Sequence, residues 1–180
     1  ASVVVMSGSL PGGVEDDYYL KLSSAIPSNV KKILDTSGNK MIAGLRGGAF
    51  LVKPNLDELR EMTGEHYDSI DEMVSGCERL IEAGAENVLL SLGRKGAILT
   101  DGDKAYFCKS ATVAVNSTVG AGDGMVAAAA VMIEQNAPYD EILRCAVAAG
   151  TASVMTPGTN LFYRDKFIEI YDRITVERIR

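Results

Sequence analysis

The sequence predicts an α/β fold in which a mostly parallel sheet carries helices on both faces. Short β-branched runs alternate with amphipathic stretches along almost all of the 180 residues. Such alternation favours a parallel sheet, because each helix returns the chain to the start of the next strand. Internal repeats, low-complexity tracts and linkers are absent from the sequence, so residues 1–180 are expected to form one domain or part of one.

Local patterns predict each element in turn. Apolar runs bounded by turn residues predict strands over residues 3–6, 30–34, 50–52, 87–92, 97–100, 105–108 and 113–115. Apolar residues at helical spacing predict helices over residues 16–25, 38–45, 56–62, 70–83, 122–135, 139–155 and 164–173. The segment Asp101-Gly102-Asp103 is typical of a hairpin turn. Ser69 and Glu72 have the spacing of a capping box, and Gly84 lies where a helix favours glycine after its last turn.

Composition excludes several classes of function. The net charge of −6 argues against nucleic acid and anionic membranes as partners, since both bind basic surfaces. Phosphorylated ligands need only local cations and backbone donors, so the negative net charge does not exclude them. Three cysteines without C-x-x-C spacing support neither a disulfide framework nor a zinc site. Without a signal peptide or a run of about 18 apolar residues, a cytoplasmic protein is expected.

One glycine-rich segment indicates a chemistry. Gly120, Ala121 and Gly122 precede an apolar helix, so their N–H groups and the positive helix end can bind an anion. Asp123, at the start of that helix, can accept a proton from an attacking hydroxyl group. Both features suit phosphoryl transfer, in which donors stabilise the moving charge. The alternative is a plain turn in which Asp123 caps the helix, and the turn alone leaves both open.

Two common nucleotide-binding motifs do not match. The sequence contains no G-x-x-x-x-G-K-[ST], and its glycines at 120, 122 and 124 have G-x-G-x-G spacing rather than G-x-G-x-x-G. A dinucleotide-binding turn is further disfavoured because two predicted helices follow, where a second strand with a ribose-binding acid is required.

Polar loops follow several other predicted strands. Asn55 and Glu58 can hold hydrated Mg²⁺ through their oxygens, or they can merely cap a helix and complement its dipole. Residues 91–96 offer a hydroxyl, two glycines and two cations to nucleotide phosphates or ribose, or they form a simple tight turn. Residues 7–13 and 35–38 are also polar. Because ligands bind at the carboxyl ends of parallel strands, the joint occurrence of these loops favours a binding site.

Five segments together carry a family resemblance. They are S-G-S-L-P at 7–11, K-P-N-L-D-E-L at 53–59, S-L-G with G-A at 91–97, S-T-V-G-A-G-D at 117–123 and A-A-G-T-A at 148–152. On these segments the chain resembles the carboxyl-terminal portion of the PfkB (ribokinase-like) carbohydrate kinases over essentially its whole length. Gly-Ala-Gly-Asp is specific to the family, and Ser-Thr-Val ahead of it points to the sugar-phosphate kinase subgroup.

The resemblance implies a three-layer α/β/α ribokinase-like fold and in-line transfer of the ATP γ-phosphoryl group to a sugar phosphate. Asp123 would be the general base, and the amides of Gly120, Ala121 and Gly122 the anion hole. The implied nucleotide contacts are Lys53, Asn55, Ser91, Gly93, Gly96, Ser117, Thr118 and Thr151. Ser9, with Asp123, would face the sugar. The expected acceptor is fructose 1-phosphate or tagatose 6-phosphate.

Two cations are implied by the same resemblance. Glu58 and Asn55 would act on Mg²⁺ through water. The family holds a monovalent cation such as K⁺ on backbone groups of five residues. The matching positions in this chain are Ser117, Val119, Ser153, Thr156 and Gly158.

The chain departs from the family pattern in two ways. Gly124 follows the base where a small residue with a side chain is usual, and this glycine is expected to loosen the helix start, since glycine costs about 1 kcal/mol relative to alanine. The amino-terminal part and its lid are expected to be missing, so the chain alone should bind nucleotide weakly and turn over poorly. The full-length protein is expected to be a homodimer.

Two other functions stay open from the sequence. The first is a kinase of an unphosphorylated sugar or a nucleoside. The second is a non-catalytic module that only binds nucleotide.

Overall fold

The computed structural model describes residues 1–158, 160 and 162–180. In this part of the chain seven strands form one sheet, in the order in which they follow along the chain. The strands are β1 Val3–Ser7, β2 Lys31–Asp35, β3 Leu51–Val52, β4 Val88–Ser91, β5 Ala97–Thr100, β6 Ala105–Cys108 and β7 Val176–Arg178. The α-helices are α1 Tyr18–Ala25, α2 Gly38–Leu45, α3 Leu56–Thr63, α4 Ile70–Glu82, α5 Ala121–Glu134, α6 Tyr139–Ser153 and α7 Arg164–Arg173.

Most of the sheet is parallel. β1 pairs in parallel with β2, β2 with β3, and β3 with β4. A parallel pair needs a long crossover, which α1, α2, and then α3 with α4 provide between these strands. At the other end of the sheet, β6 pairs with β7 in antiparallel. The predicted α/β fold with a mostly parallel sheet is therefore confirmed.

The chain packs as two compact units. The first comprises Ala1–Leu90 with Thr100–Ala105, and the second comprises Ser91–Leu99 with Tyr106–Arg180. Strand residues form the core of the first unit, including Ile33, Leu34, Leu51, Val52, Val88, Leu89 and Leu90. These consecutive apolar residues are buried because helices cover both faces of a parallel sheet. In the second unit α6 buries every residue over 145–153.

Capping fixes the helix starts that the sequence marks most clearly. The Ser69 hydroxyl accepts a hydrogen bond from the Glu72 N–H, and the Glu72 carboxylate accepts one from the Ser69 N–H, each at 3.2 Å. The predicted capping box is thus confirmed. Gly84, just after α4, has a φ of +125°, and a Cβ there would lie 2.2 Å from the Leu45 carbonyl oxygen. Glycine is therefore required at this turn both by conformation and by space.

One strand prediction was wrong, and one strand was missed. Residues 113–115 do not form a strand, although their alternating valines suggested one. Both sides of β6, which ends just before them, already have neighbouring strands in the sheet. β7 was missed, because three residues are too few to show alternation and two of them are charged. Short, charged strands are typical of sheet edges, where they discourage pairing with other chains.

All three cysteines are free thiols with buried side chains. Burial raises the pKa of Cys77 and Cys145 to about 12 and that of Cys108 to about 11. None of the helices in the described residues combines the length and apolar composition that a membrane span requires.

Thiol alkylation tests this packing. At pH 8 the folded chain should react with iodoacetamide at least about tenfold more slowly than the chain in guanidinium chloride, because burial excludes the reagent and disfavours the thiolate. Mass spectrometry measures the label on each cysteine, with N-acetylcysteine as the control for reagent activity under both conditions. Rapid labelling of Cys77 in the folded chain would contradict the described core.

Candidate active site

The second unit contains a cavity of about 740 Å³. This volume lies in the range of small-molecule sites. Seven residues predicted from the sequence line it together, namely Ser91, Gly93, Gly96, Thr118, Ala121, Gly122 and Thr151. Ser117, Gly120 and Asp123 adjoin these residues in the chain but are not themselves among the described lining residues. The structure therefore gathers most of the predicted residues of this unit around one space.

The start of α5 supplies backbone donors to the cavity. Gly120 precedes the helix with a φ of +83°, a left-handed conformation that favours glycine, and it contributes no side-chain cap. The first helical hydrogen bond runs from the Gly124 N–H to the Gly120 carbonyl at 2.9 Å. The N–H groups of Ala121, Gly122 and Asp123 therefore have no acceptor within the helix. Ala121 and Gly122 line the cavity, and Asp123 is solvent-exposed in the first turn.

A close helix crossing holds α5 against α6. A Cβ on Gly124 would lie 2.6 Å from the Ser153 hydroxyl oxygen and 3.3 Å from the Ala149 carbonyl oxygen. A Cβ on Gly150 would lie 2.7 Å from Cγ of Met125. A side chain at Gly124 would therefore crowd α6, so this glycine also has a place in the packing that helix propensity does not describe. The alanine-rich stretches of both helices serve the same close approach.

A rigid turn after β4 forms another part of the cavity. Gly93–Lys95 is a single turn of 3-10 helix, closed by hydrogen bonds from Lys95 N–H to Leu92 and from Gly96 N–H to Gly93. Gly96 has a φ of +112°, and a Cβ there would lie 1.9 Å from the Cys108 carbonyl oxygen. Only glycine allows the chain to pass so close to the end of β6. The turn therefore has a fixed position beside the segment that follows β6.

The segment after β6 and one face of α6 supply lining residues that sequence reasoning missed. The missed residues are the run over residues 110–113, Val115, Met125, Val147, Gly150 and Val154. Arg94 also lines the cavity, and it lies in the turn 91–96 that the sequence offered to a nucleotide. Thr151, which was predicted, is buried, and its hydroxyl lies 2.9 Å from that of Ser110 in a hydrogen bond. Val115 is 59% exposed. An exposed apolar side chain can mark a binding site, but its exposure is visible only in the three-dimensional structure.

The five residues proposed for a monovalent cation lie on two segments that the structure joins. The Asn116 N–H donates to the Val154 carbonyl at 2.8 Å, and the Asn116 side chain donates to the Met155 carbonyl at 2.6 Å. The Ser117 hydroxyl accepts from the Val119 N–H. The Ser153 carbonyl already accepts hydrogen bonds from both the N–H and the hydroxyl of Thr156.

The first unit brings the ends of its parallel strands together. The Gly8 N–H donates to the Asp35 carbonyl, and the hydroxyl groups of Thr36 and Tyr19 donate to the Gly8 carbonyl. Lys53 and Asp35 form an ion pair at 3.2 Å, with side chains only 8% and 15% exposed. Burial, followed by the charge of Asp35, raises the pKa of Tyr19. Ser9 follows Gly8 and is exposed at this end of the sheet.

Asn55 and Glu58 form the capping box of α3. The Asn55 side-chain oxygen accepts from the Glu58 N–H at 2.9 Å, and Glu58 Oε2 accepts from the Asn55 N–H at 2.8 Å. Asn55 has an extended backbone and precedes the helix, so the two residues do not share a helical face as their spacing suggested. The capping alternative is observed. Within the described residues, Glu58 Oε1 accepts no hydrogen bond, and Glu58 as a residue is half-buried.

Comparison with known proteins gives a consistent result. A family model described as pfkB family carbohydrate kinase matches residues 1–166. The chain is 35% identical over 156 residues to 1-phosphofructokinase from Borreliella burgdorferi, covering 86% of this chain and 50% of the relative. It is 38% identical over 175 residues to ATP-dependent 6-phosphofructokinase isozyme 2 from Mycobacterium tuberculosis, covering 94% and 51%.

A solved structure shows the same fold. The phosphofructokinase-2 from Escherichia coli in complex with potassium superposes with a TM-score of 0.88 and 35% identity, over 95% of this chain and 56% of that one. The chain thus spans about half the length of the curated relatives it matches.

Substitution of Gly124 tests the helix crossing. Helix propensity alone predicts that Gly124→Ala stabilises the chain by about 1 kcal/mol. The close contact with Ser153 reverses this sign, and we expect the free energy of unfolding to fall by about 1 kcal/mol or more, as overpacking does. Urea unfolding followed by circular dichroism measures the change.

The double variant Gly124→Ala/Ser153→Ala is the matched control. It should recover much of the loss, because the nearest remaining atom is the Ala149 carbonyl oxygen at 3.3 Å. A stabilising effect of Gly124→Ala by itself would contradict the crossing described here.

Proposed function

The chain belongs to the pfkB family of carbohydrate kinases, and from this premise we propose that it is the nucleotide-binding and catalytic part of an ATP-dependent sugar-phosphate kinase. The observation that carries the proposal is the start of α5, where Ala121 and Gly122, whose N–H groups have no acceptor within the helix, line a cavity and the acid Asp123 follows in the same first turn. A donor set beside a base is the arrangement that phosphoryl transfer requires. The two compact units are proposed to serve one kinase domain.

The proposed reaction is a direct in-line transfer. Asp123 accepts the proton of the acceptor hydroxyl, whose oxygen then forms a bond to the γ-phosphorus of ATP. The bond from that phosphorus to the bridging oxygen breaks, and ADP leaves with the electron pair. The amides of Gly120, Ala121 and Gly122 stabilise the charge on the transferring phosphoryl oxygens. Asp123 is exposed before substrate binding, so a proton can return to solvent after each turnover.

The cavity is proposed to hold the nucleotide. Its valines and alanines suit a purine face, while Ser91, Thr118 and Thr151 offer hydroxyl groups to polar atoms of the ligand. Gly96 permits the close approach of the backbone described above, and Gly93, with its φ of +56°, allows the turn before it. In the first unit, Lys53 and Asn55 are proposed as further nucleotide contacts and Ser9 as a sugar contact, each on the family resemblance.

Two cations fit the residues to different extents. Glu58 and Asn55 offer the oxygen atoms that Mg²⁺ prefers. Because Asn55 is engaged in capping, the Oε1 atom of Glu58 is the oxygen that remains to face a hydrated ion. When bound, Mg²⁺ neutralises phosphate charge. For K⁺, the structure of the Escherichia coli relative with potassium supports the proposal. Because Thr156 occupies the Ser153 carbonyl, the proposed ligands are carbonyl groups of Ser117, Val119, Thr156 and Gly158.

The proposed acceptor is a phosphorylated ketohexose. The relatives include both 1-phosphofructokinases and ATP-dependent 6-phosphofructokinases. Fructose 1-phosphate is proposed as the first candidate, with fructose 6-phosphate and tagatose 6-phosphate as the others. Kinase assays of the complete gene product with these three sugars, ribose and a nucleoside should give the highest kcat/KM for a sugar phosphate. A preference for ribose or the nucleoside would overturn this assignment.

Asp123→Asn tests the proposed base. The amide cannot accept the proton, so we expect kcat to fall by about 10²–10⁴-fold while the KM for ATP changes little. Steady-state kinetics of the complete gene product measure both constants. Asp140→Asn is the matched control, because Asp140 is an exposed acid in the first turn of the next helix. If the two variants have similar kcat values, Asp123 is not the base.

A further inference from the structure

The first strand, β1, leaves one edge of the sheet open. β1 is the terminal strand in the sheet order, with β2 as its neighbour among the described residues. The Lys31 N–H donates to the Ser2 carbonyl, and the Gly8 N–H donates to the Asp35 carbonyl, both at 2.9 Å. In a parallel pair, every second residue directs its N–H and C=O groups toward the neighbouring strand. The even-numbered residues of this segment therefore face β2, and the odd-numbered ones face away from it.

Three residues of β1 direct their backbone groups to the open edge, namely Val3, Val5 and Ser7. Their N–H and C=O groups have no pairing strand within the part of the chain that the structure describes. The Val5 side chain is 41% exposed, although the neighbouring Met6 is buried. The strand contains neither a charged residue nor proline, which are residues that sheet edges commonly use to avoid pairing.

The opposite edge of the sheet is protected in this way. Its terminal strand, β7, has only three residues, and Glu177 and Arg178 are exposed charges within it. A short, charged strand discourages another strand from pairing with it. β1 has five residues, of which four are apolar. The two edges thus differ, and β1 is the edge that suits the addition of a further strand.

The open edge is complementary to a second copy of itself. When two copies of β1 run antiparallel about a twofold axis at Val5, Val5 lies opposite its own counterpart and Val3 lies opposite Ser7. All three residues direct their backbone outward, so each opposed pair can exchange two hydrogen bonds. The two Val5 side chains lie on the same face of the joined sheet and contact each other across the axis. Like charges are not opposed, because the strand carries no charge.

Apolar residues of α1 extend this surface. α1 connects β1 to β2, so it lies nearer to the open edge than α2, which connects β2 to β3. Tyr18 and Leu22, four residues apart on α1, are 47% and 38% exposed. Residues at this spacing share one side of a helix. A twofold axis perpendicular to the sheet places the α1 helices of both copies on the same face of the joined sheet, where these side chains can pack together.

We propose that the 180-residue chain forms a twofold dimer by antiparallel pairing of β1 across this edge. The partner is a second copy of the chain, and the sheet continues from one copy into the other. The proposal is independent of the proposed function, because the interface contains none of the residues assigned to ATP, to the cations or to the acceptor.

Sedimentation equilibrium over a range of concentrations tests the dimer. The unsubstituted chain should shift from its monomer mass toward twice that mass as the concentration rises. Val5→Lys should raise the Kd of the dimer by at least about tenfold, because it opposes two positive charges across the axis. Val131→Lys is the matched control, since Val131 is a similarly exposed valine on α5, and it should leave the Kd unchanged.

A mixture of two variants tests the register. Val5→Glu alone should weaken the dimer as Val5→Lys does. An equimolar mixture of the two should dimerise again, because opposite charges then meet at the axis. Circular dichroism verifies that each variant is folded.

Hydrogen exchange followed by NMR tests the same interface without a substitution. In the unsubstituted chain, the amides of Val3, Val5 and Ser7 should become protected as the concentration rises, because they then donate to the partner strand. The Met6 amide faces β2 and should be protected at every concentration.

Several results would overturn the proposal. They are a chain that stays monomeric at every concentration, a dimer whose Kd is the same in Val5→Lys, a mixture that associates no better than its components, and exchange at the outward amides that does not depend on concentration. An equal loss in Val131→Lys would also overturn it, because the interface would then involve α5.

Discussion

The close crossing of α5 and α6 is the constraint on which the candidate site of the second unit depends. A Cβ on Gly124 or on Gly150 would crowd the facing helix, so these glycines let the two helix backbones approach each other near the start of α5. That approach fixes where the uncapped N–H groups lie relative to Thr151 on α6, which lines the same cavity. An anion site made of backbone donors works only if those donors are held still, because mobile dipoles reorganise at a cost. Small residues here therefore serve both packing and chemistry.

The first unit depends on a different constraint, the buried pair of Lys53 and Asp35. The two charges lie where three parallel strands end, and each is largely removed from water. A buried cation without its partner is strongly unfavourable, so the pair links the ends of β2 and β3. Hydrogen bonds from Thr36 and Tyr19 to Gly8 then attach the end of β1 to the same place. Polar residues at strand ends thus hold the loops that the family resemblance assigns to ligand contacts.

The sequence predicted the helices and most strands because their signals are local. α2 and α7 begin and end where apolar spacing placed them, and the capping box at Ser69 was visible in four residues. The failures were non-local. Residues 113–115 have the composition of a strand but lack a pairing partner, and only the sheet order reveals this. Likewise, helix propensity describes Gly124 as a weak helix residue, whereas its contact with Ser153, 29 positions later in the chain, decides its role.

The difference between local and non-local signals also explains which site residues could be predicted from the sequence. Gly93, Gly96 and Gly122 lie in motifs whose spacing is visible in the sequence, whereas Val115, Val147 and Val154 reach the cavity only through the fold. Gly96 is required by both its positive φ and its close approach to the Cys108 carbonyl, and Gly93 also has a positive φ, so this part of the wall is backbone. A backbone wall can be predicted because the glycines that form it leave a local pattern. An apolar wall leaves no such pattern, since a valine that lines a cavity and a valine in the core look alike until the chain is folded.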